Sequence, residues 1–251
     1  MGNNGQAVAD EFRRHGTVLL PSLAGMTLVA VHGYSVGVMV GPLEQEFRWS
    51  RAEIMVGPMI VSTMALALCP LIGRAIDRLG PRVIAIFGVI AYACLLASLA
   101  TTGKSIWSWW AHWAILGLAS TIILPTVWTS AINCLFDIHR GKALAIALLG
   151  TGVAATIVPV LTSALLERYD WRQTYVALAA IFGGIPLALV LRFFFGPRAL
   201  RRAASTADTP SVRGMTASEG FRSPAFLKLA LAVFAFGATT LAFTVTAVPI
   251  L

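Results

Sequence analysis

Seven long apolar runs separated by short polar connectors set the pattern of this chain: 18–40, 54–72, 83–100, 109–128, 143–166, 175–191 and 229–251. None of them contains Asp, Glu, Lys or Arg. Each is close to the ~20 residues, range about 17–25, that a helix needs to cross the hydrocarbon core of a bilayer. Hydrocarbon offers no partner to a backbone N–H or C=O, so a spanning run must satisfy its own hydrogen bonds, and a helix does so within one segment. The runs are too long and too continuously apolar for the alternating strands of a membrane barrel. The pattern predicts an all-α, polytopic membrane protein with seven spans in this chain.

Composition agrees. Apolar residues make up 57% of the 251 and charged residues only 12%, against about 25% charged in soluble domains, and the mean hydropathy is +0.79. Arg13 and Arg14 ahead of the first run imitate a signal peptide, but six further runs follow, so it reads as a retained span. Cys69, Cys94 and Cys134 fall in or beside spans. An odd set of thiols so placed offers no disulfide or metal framework, and they are expected as small core residues.

Basic residues decide the orientation. The N-terminus and the connectors after spans two, four and six hold fourteen Lys and Arg against six acidic residues, and the remaining connectors hold five against five. The whole net charge of +8 thus lies on one side, which the positive-inside rule assigns to the cytoplasm. Topology accounts for the pI near 10.1 without nucleic acid as a partner. Trp49, Trp107, Trp109, Trp110, Trp113 and Trp171 gather at the opposite ends of the spans, where amphipathic rings favour the membrane interface; Trp128 alone lies near the basic end. Helix starts are marked by the capping box Ser50-Arg51-Ala52-Glu53, by the similar Asp170-Trp171-Arg172-Gln173 and by Ser223-Pro224. Pro125, Pro159 and Pro186 each remove a hydrogen bond inside a span and predict kinks.

One polar connector is richer than topology requires. "GRAIDRLGPR" (73–82) between spans two and three places Arg74, Asp77, Arg78 and Arg82 among Gly73, Gly80 and Pro81. An Arg-rich stop signal explains the arginines but neither the aspartate nor the glycines. Gly73, Asp77, Arg78, Gly80 and Arg82 at this spacing resemble the loop signature of the major facilitator superfamily of transporters, in the loop where that family carries it. "FRWSRAEI" (47–54), "RGKALAIALLGTG" (140–152) and "YDWRQTY" (169–175) are similar to bacterial monocarboxylate-transporter-like and oxalate/formate-antiporter-like members. The resemblance implies two six-helix bundles with substrate held between them near the midplane, and Asp77 with the arginines forming half of a latch that closes the cytoplasmic side. It also implies twelve spans in all. The chain is then expected to hold a cytoplasmic N-terminus (1–17), the N-terminal six-helix bundle (18–195), a cytoplasmic linker (196–223) and the first helix of the second bundle (224–251), and to be truncated after the seventh span.

Residues that could meet a substrate are few. His32 lies near the middle of span one, and an ionisable group at that depth marks a functional site by default; its expected roles are to line the cavity facing spans four and five, to hold substrate or to carry a coupling proton. Tyr34 and Ser35 flank it, and His112 sits in the tryptophan belt. Thr126, Thr129, Ser130 and Asn133, at i, i+3, i+4 and i+7, form a polar stripe on one face of span four, the wall of a hydrated cavity or hydroxyls bonded back to their own helix. Gly33, Gly37 and Gly41 in span one, with Gly150 and Gly152 in span five, are expected to allow close helix packing or hinging.

The function these features imply is secondary active transport of a small organic solute, most readily an anion such as a monocarboxylate, by alternating access, in a monomer in the bacterial inner membrane. No metal, cofactor or enzymatic activity is expected, because no nucleophile–base pair, carboxylate pair or metal-ligand cluster falls at membrane depth. A retinal receptor would need a lysine in the middle of span seven, and Lys228 precedes that span. The alternative is a non-transporting membrane scaffold or an inactive truncated fragment.

Overall fold

The computed structural model describes residues 11–136, 138–194, 223–229, 231–232 and 235, apart from the side chain of Asp77. Among these residues there is no strand, and six helices are long and apolar enough to cross a membrane. They comprise seven helical elements, α1 (Leu19–Phe47), α2 (Arg51–Leu79), α3 (Pro81–Ser98), α4 (Ile106–Ile122), α5 (Pro125–Leu135), α6 (Arg140–Leu166) and α7 (Trp171–Phe193). Span four is made of two pieces, α4 and α5. The chain divides between residues 206 and 207 into two units, and all seven elements belong to the first. In the second, residues 224–229 are helical and Leu227 N–H donates to Ser223 O at 3.1 Å, as the Ser223-Pro224 start requires. The expected N-terminal residues 1–10, the linker up to residue 222 and most of span seven lie outside the described residues.

Helix order along the chain is not packing order. α1 packs chiefly on α6 and then α7, α2 on α4, and α3 on α7 and α4. Close approach is set by glycine at the α1–α6 contact. A Cβ built on Gly150 would lie 2.2 Å from Leu23 O and 2.8 Å from Met26 Cβ. The gap is closed by a hydrogen bond, Thr27 Oγ1 donating to Gly150 O at 3.0 Å. The expected packing glycines Gly33, Gly37, Gly41 and Gly152 behave differently: a Cβ on any of them meets nothing within 4 Å. The four-residue spacing of Gly33, Gly37 and Gly41 is right for a packing face, but no described side chain lies against them on α1, and Gly152 is likewise on an open side of α6, so these positions do not pack the described bundle.

The ends of the helices follow the sequence signals. Ser50 Oγ accepts Glu53 N–H at 3.3 Å while Glu53 Oε2 accepts Ser50 N–H at 2.8 Å, a complete capping box that satisfies two otherwise unpaired donors. Asp170 Oδ1 caps α7 by accepting Gln173 N–H at 2.7 Å. Before α6, the carboxylate of Glu11, from the distant N-terminal segment, accepts the N–H groups of Ile138 (3.2 Å) and His139 (3.0 Å). Pro125 does more than kink span four. Leu124 is extended (φ −48°, ψ 155°), and Pro125 starts a new helix. The break frees Ile123 O, and Trp128 Nε1 satisfies it at 3.0 Å, as apolar surroundings demand.

Two expectations are corrected. Trp49, Trp109, Trp113 and Trp171 are buried inside the bundle, whereas Trp107 is exposed as an interfacial ring would be. The flat amphipathic indole suits a packed core whose N–H finds a carbonyl as well as it suits a lipid interface: Trp109 Nε1 donates to Ile54 O at 3.2 Å and Trp110 Nε1 to Glu53 O at 3.0 Å. The three cysteines are exposed on their helices rather than in the core.

Candidate functional site

The site is built around the middle of α1. His32 is half-buried, and its ring meets the rings of Tyr92 from α3 and Trp113 from α4 edge-on, each with centroids 6.0 Å away. Its Nδ1 lies 3.0 Å from Tyr92 Oη, and its backbone N–H donates to the same oxygen at 3.1 Å. His32 therefore faces spans three and four rather than the four and five expected, because α1 turns its α6-facing side away from this ring. Tyr92 is fully buried, and Trp113 is seated on Gly57 of α2, where a Cβ would come within 2.7 Å of the indole. The neighbouring Ser35 is buried and its hydroxyl donates to His32 O at 3.4 Å. Tyr34 points to the open side of α1, 42% exposed, with Gly33 and Gly37 exposed beside it.

An aromatic stack connects His32 to the tryptophan-rich end. Trp113 meets Trp109 at 5.5 Å, and Trp109 belongs to a closed ring of five side chains. Phe47 stacks on Trp49 at 4.3 Å, Trp49 meets Trp109 at 6.2 Å, Trp109 meets Tyr175 at 6.4 Å, Tyr175 meets Trp171 at 6.3 Å, and Trp171 returns to Phe47 at 5.8 Å. Arg172 lies over the ring of Trp171 (4.2 Å) and near that of Phe47 (5.7 Å), pairs with Glu46 Oε1 at 3.1 Å and donates to Thr102 O at 3.3 Å. The other carboxylate oxygen of Glu46 accepts Trp171 Nε1. The sequence segments 47–54 and 169–175, far apart in the chain, thus form one clamp. A depression of about 420 Å³ lies beside it, lined in part by Pro42, Glu46, Tyr169 and Trp171. Glu46 is fourteen residues from His32 on the same helix, about 21 Å at 1.5 Å per residue, so this depression is separate from the histidine.

The polar stripe of span four falls on α5, opposite its buried face of Val127, Trp128, Ala131, Ile132 and Leu135. Thr126 and Asn133 are exposed and Thr129 and Ser130 are half-buried. Thr129 Oγ1 donates to Pro125 O at 3.0 Å and Ser130 Oγ to Val127 O at 2.9 Å, so these two hydroxyls bond back to their own helix. Trp128 is pressed onto Gly25 of α1, where a Cβ would lie 2.2 Å from the indole, and fixes α5 against span one. His112 is tied to its surroundings by both ring nitrogens: Nδ1 lies 2.7 Å from Ser108 O and Nε2 3.1 Å from Thr101 Oγ1.

At the basic end, the motif 73–82 makes a corner of a single residue. α2 ends at Leu79, Gly80 turns with φ 80° and ψ 153°, and Pro81 opens α3. Only glycine adopts that conformation without strain, which explains Gly80. Arg82 Nη2 donates to Leu191 O at 3.1 Å, so this arginine binds the C-terminal end of α7, where a cation is favoured. Gly73, Arg74 and Arg78 are exposed. Asp77 lies in the last turns of α2, and its side chain is outside the described residues. Among the described residues no group of three or more His, Cys, Asp or Glu could hold a metal ion.

Comparison with known proteins gives these features a frame. The family described as Major Facilitator Superfamily matches residues 22–251. The chain is 27% identical over 170 residues to monocarboxylate transporter 6 of Mus musculus, covering 68% of this chain and 35% of that protein. It is 28% identical over 169 residues to monocarboxylate transporter 6 of Homo sapiens, covering 67% and 32%. It is 29% identical over 130 residues to the fujikurins efflux protein of Gibberella fujikuroi, covering 49% and 27%. The chain thus spans between 27% and 35% of the length of these relatives. Six membrane-crossing helices, the one-residue corner in the motif 73–82 and a match over nearly the whole sequence lead to one conclusion: this multi-pass membrane chain belongs to the major facilitator superfamily.

Proposed function

We propose that the protein is a secondary active transporter that moves a small organic anion, a monocarboxylate being the best-supported class, across the membrane by alternating access, and that it is not an enzyme. Family membership supports transport, and two relatives named as monocarboxylate transporters support the substrate class. The observation that carries the reading is His32, half-buried at mid-depth in α1 and held by Tyr92. No Arg or Lys falls within any of the seven apolar runs. A buried anion without a compensating group is costly, and His32 is the group in this chain placed to meet it. Its roles in this reading are to hold the anion or to carry a coupling proton. The open sides of α1 (Gly33, Tyr34, Gly37) and α5 (Thr126, Asn133) face the substrate path. The basic end lies in the cytoplasm, in a bacterial inner membrane, and Asp77 with Arg78 serves in closing that side.

Uptake of a radiolabelled monocarboxylate such as lactate into vesicles carrying the intact protein tests the proposal. Saturable uptake above empty vesicles is expected. Its absence for lactate and a panel of other small carboxylates would leave the scaffold reading in its place. His32→Gln, assayed from about pH 5 to 8 around the ordinary histidine range, tests the proton role: a flattened pH profile means proton coupling, and an unchanged one removes His32 from it.

A further inference from the structure

The hydrogen bonds around His32 fix which of its nitrogens carries the proton. Tyr92 Oη lies within reach of two groups, the backbone N–H of His32 at 3.1 Å and Nδ1 of the same residue at 3.0 Å. The backbone group can only donate, so the Tyr92 oxygen accepts from it. The phenol hydrogen must then go to an acceptor, and Tyr92 is 0% exposed, closed off from solvent. Trp113, the other ring against His32, has a donor but no acceptor. Nδ1 is the acceptor that remains. A nitrogen that accepts carries no hydrogen, so the neutral ring is the Nε2–H tautomer. Such an assignment follows from the network in which the ring sits.

Two further observations say what that tautomer is for. Nε2 makes no hydrogen bond to the described residues, yet it is not among the sealed, unpartnered polar atoms, which are Trp113 Nε1, Ser120 Oγ, His139 Nε2 and Tyr175 Oη. It therefore keeps some access from outside the packed core, as befits a half-buried residue. Protonating the ring would also place a hydrogen on Nδ1. Tyr92 Oη would have to accept it, and the phenol hydrogen would lose its acceptor in a closed core. The groups facing His32 are the Tyr92 hydroxyl from α3, the Trp113 indole from α4 and Ser35 on its own helix. No carboxylate or cation among the described residues pairs with it.

We propose that His32 acts as a neutral hydrogen-bond donor, presenting Nε2–H to a carboxylate oxygen of the substrate, and that Tyr92 is the positioning residue that holds the ring in this tautomer. The proposal rests on the transporter reading above and selects, of its two roles for His32, the holding of the anion. The Tyr92 and Trp113 rings against it fix the direction of the imidazole. Recognition then needs no buried positive charge among the described residues.

The test is nitrogen NMR of intact protein with ¹⁵N-labelled histidine in lipid nanodiscs, the His32 signals assigned by their loss in His32→Gln. Expected is an acceptor-type Nδ1 and a protonated Nε2 that persist from about pH 5 to 8, the range around the ordinary histidine pKa. An Nδ1–H tautomer, or conversion to imidazolium within that range, overturns the proposal. In Tyr92→Phe both tautomers are expected, and an unchanged spectrum there refutes the positioning role of Tyr92. Lactate is expected to shift the Nε2 signal, with KM raised about tenfold, near one lost hydrogen bond, in His32→Leu. Lactate uptake without any shift at Nε2 refutes the donor role. If no carboxylate is taken up at all, the transporter reading and the substrate contact fall together, while the spectrum still decides the tautomer.

Discussion

Gly150 and Gly152 stand two residues apart in the same helix and should respond to alanine in opposite ways. At Gly150 the new Cβ would lie 2.2 Å from Leu23 O, 2.8 Å from Met26 Cβ and 3.0 Å from Thr27 N. Two of these belong to backbone that a rotamer change cannot move. Non-bonded contacts are comfortable at roughly 3.5–4.0 Å between carbons, so α1 and α6 must part by on the order of 1 Å. Overpacking of this kind costs about 1–3 kcal/mol. The displacement also breaks the bond from Thr27 Oγ1 to Gly150 O, and interhelical hydrogen bonds in membranes average about 0.6 kcal/mol with a maximum near 1.7. Together the loss is about 2–4 kcal/mol, less about 1 kcal/mol for the better helix propensity of alanine, so about 1–3 kcal/mol net. At ~2–4 °C per kcal/mol for a chain of this size, thermal unfolding in detergent should move down by about 2–12 °C in Gly150→Ala. At Gly152 no atom lies within 4 Å of the added methyl, and alanine is the better helix former by about 1 kcal/mol, so Gly152→Ala should unfold at or slightly above the parent temperature. Equal unfolding temperatures for the two variants would refute the close contact between spans one and five.

Other parts of the structure yield further expectations. Gly80→Ala forces a side chain into φ 80°, ψ 153° and should cost about 1–3 kcal/mol, read as a lowered unfolding temperature or a loss of monodisperse protein. A double-mutant cycle with Glu46→Gln and Arg172→Gln should give a coupling of about 0.5–1 kcal/mol, since the pair is 43% and 35% exposed; zero coupling would mean that Arg172 is held by the rings alone. Asp77→Asn should reduce vesicle uptake while leaving the amount of protein in the membrane unchanged, and wild-type kinetics would remove Asp77 from gating.

The first six spans, the capping box at Ser50 and a disturbance at Pro125 were legible in the sequence because each depends on a local rule: apolar length, a serine with a glutamate three residues on, a missing N–H; that Pro125 would split the span and not merely kink it was not. What was not legible depends on azimuth. Four-residue spacing picks out Gly33, Gly37 and Gly41 as readily as any true contact, yet the close approaches are at Gly25, Gly57 and Gly150, because spacing defines a face of the helix without saying what covers it. The same blindness placed His32 toward span five when its partners are Tyr92 and Trp113. Tryptophans at span ends carry one further ambiguity. A position at the end of a span is equally compatible with lipid headgroups and with the five-ring cluster that Trp49, Trp109 and Trp171 help to close. The segments 47–54 and 169–175 were recognisable by resemblance, but nothing in their spacing announced that Glu46 and Arg172 would meet.

The interruption of span four separates two sets of loyalties. Its first piece, α4, packs on α2 and α3, whereas α5 packs on α1, α3 and α6. Between them stands one extended residue, Leu124, with Ile123 O bonded not to the helical ladder but to the Trp128 side chain. A continuous helix transmits a tilt along its whole length, because bending it would break consecutive backbone bonds. Here no ladder bond spans the joint in its usual form, so each piece can follow its own neighbours. The fourth span is built as an articulated strut: a tilt of span two at the tryptophan-rich end need not drag the Trp128–Gly25 seat with it, and the indole N–H is what ties the end of α4 to α5.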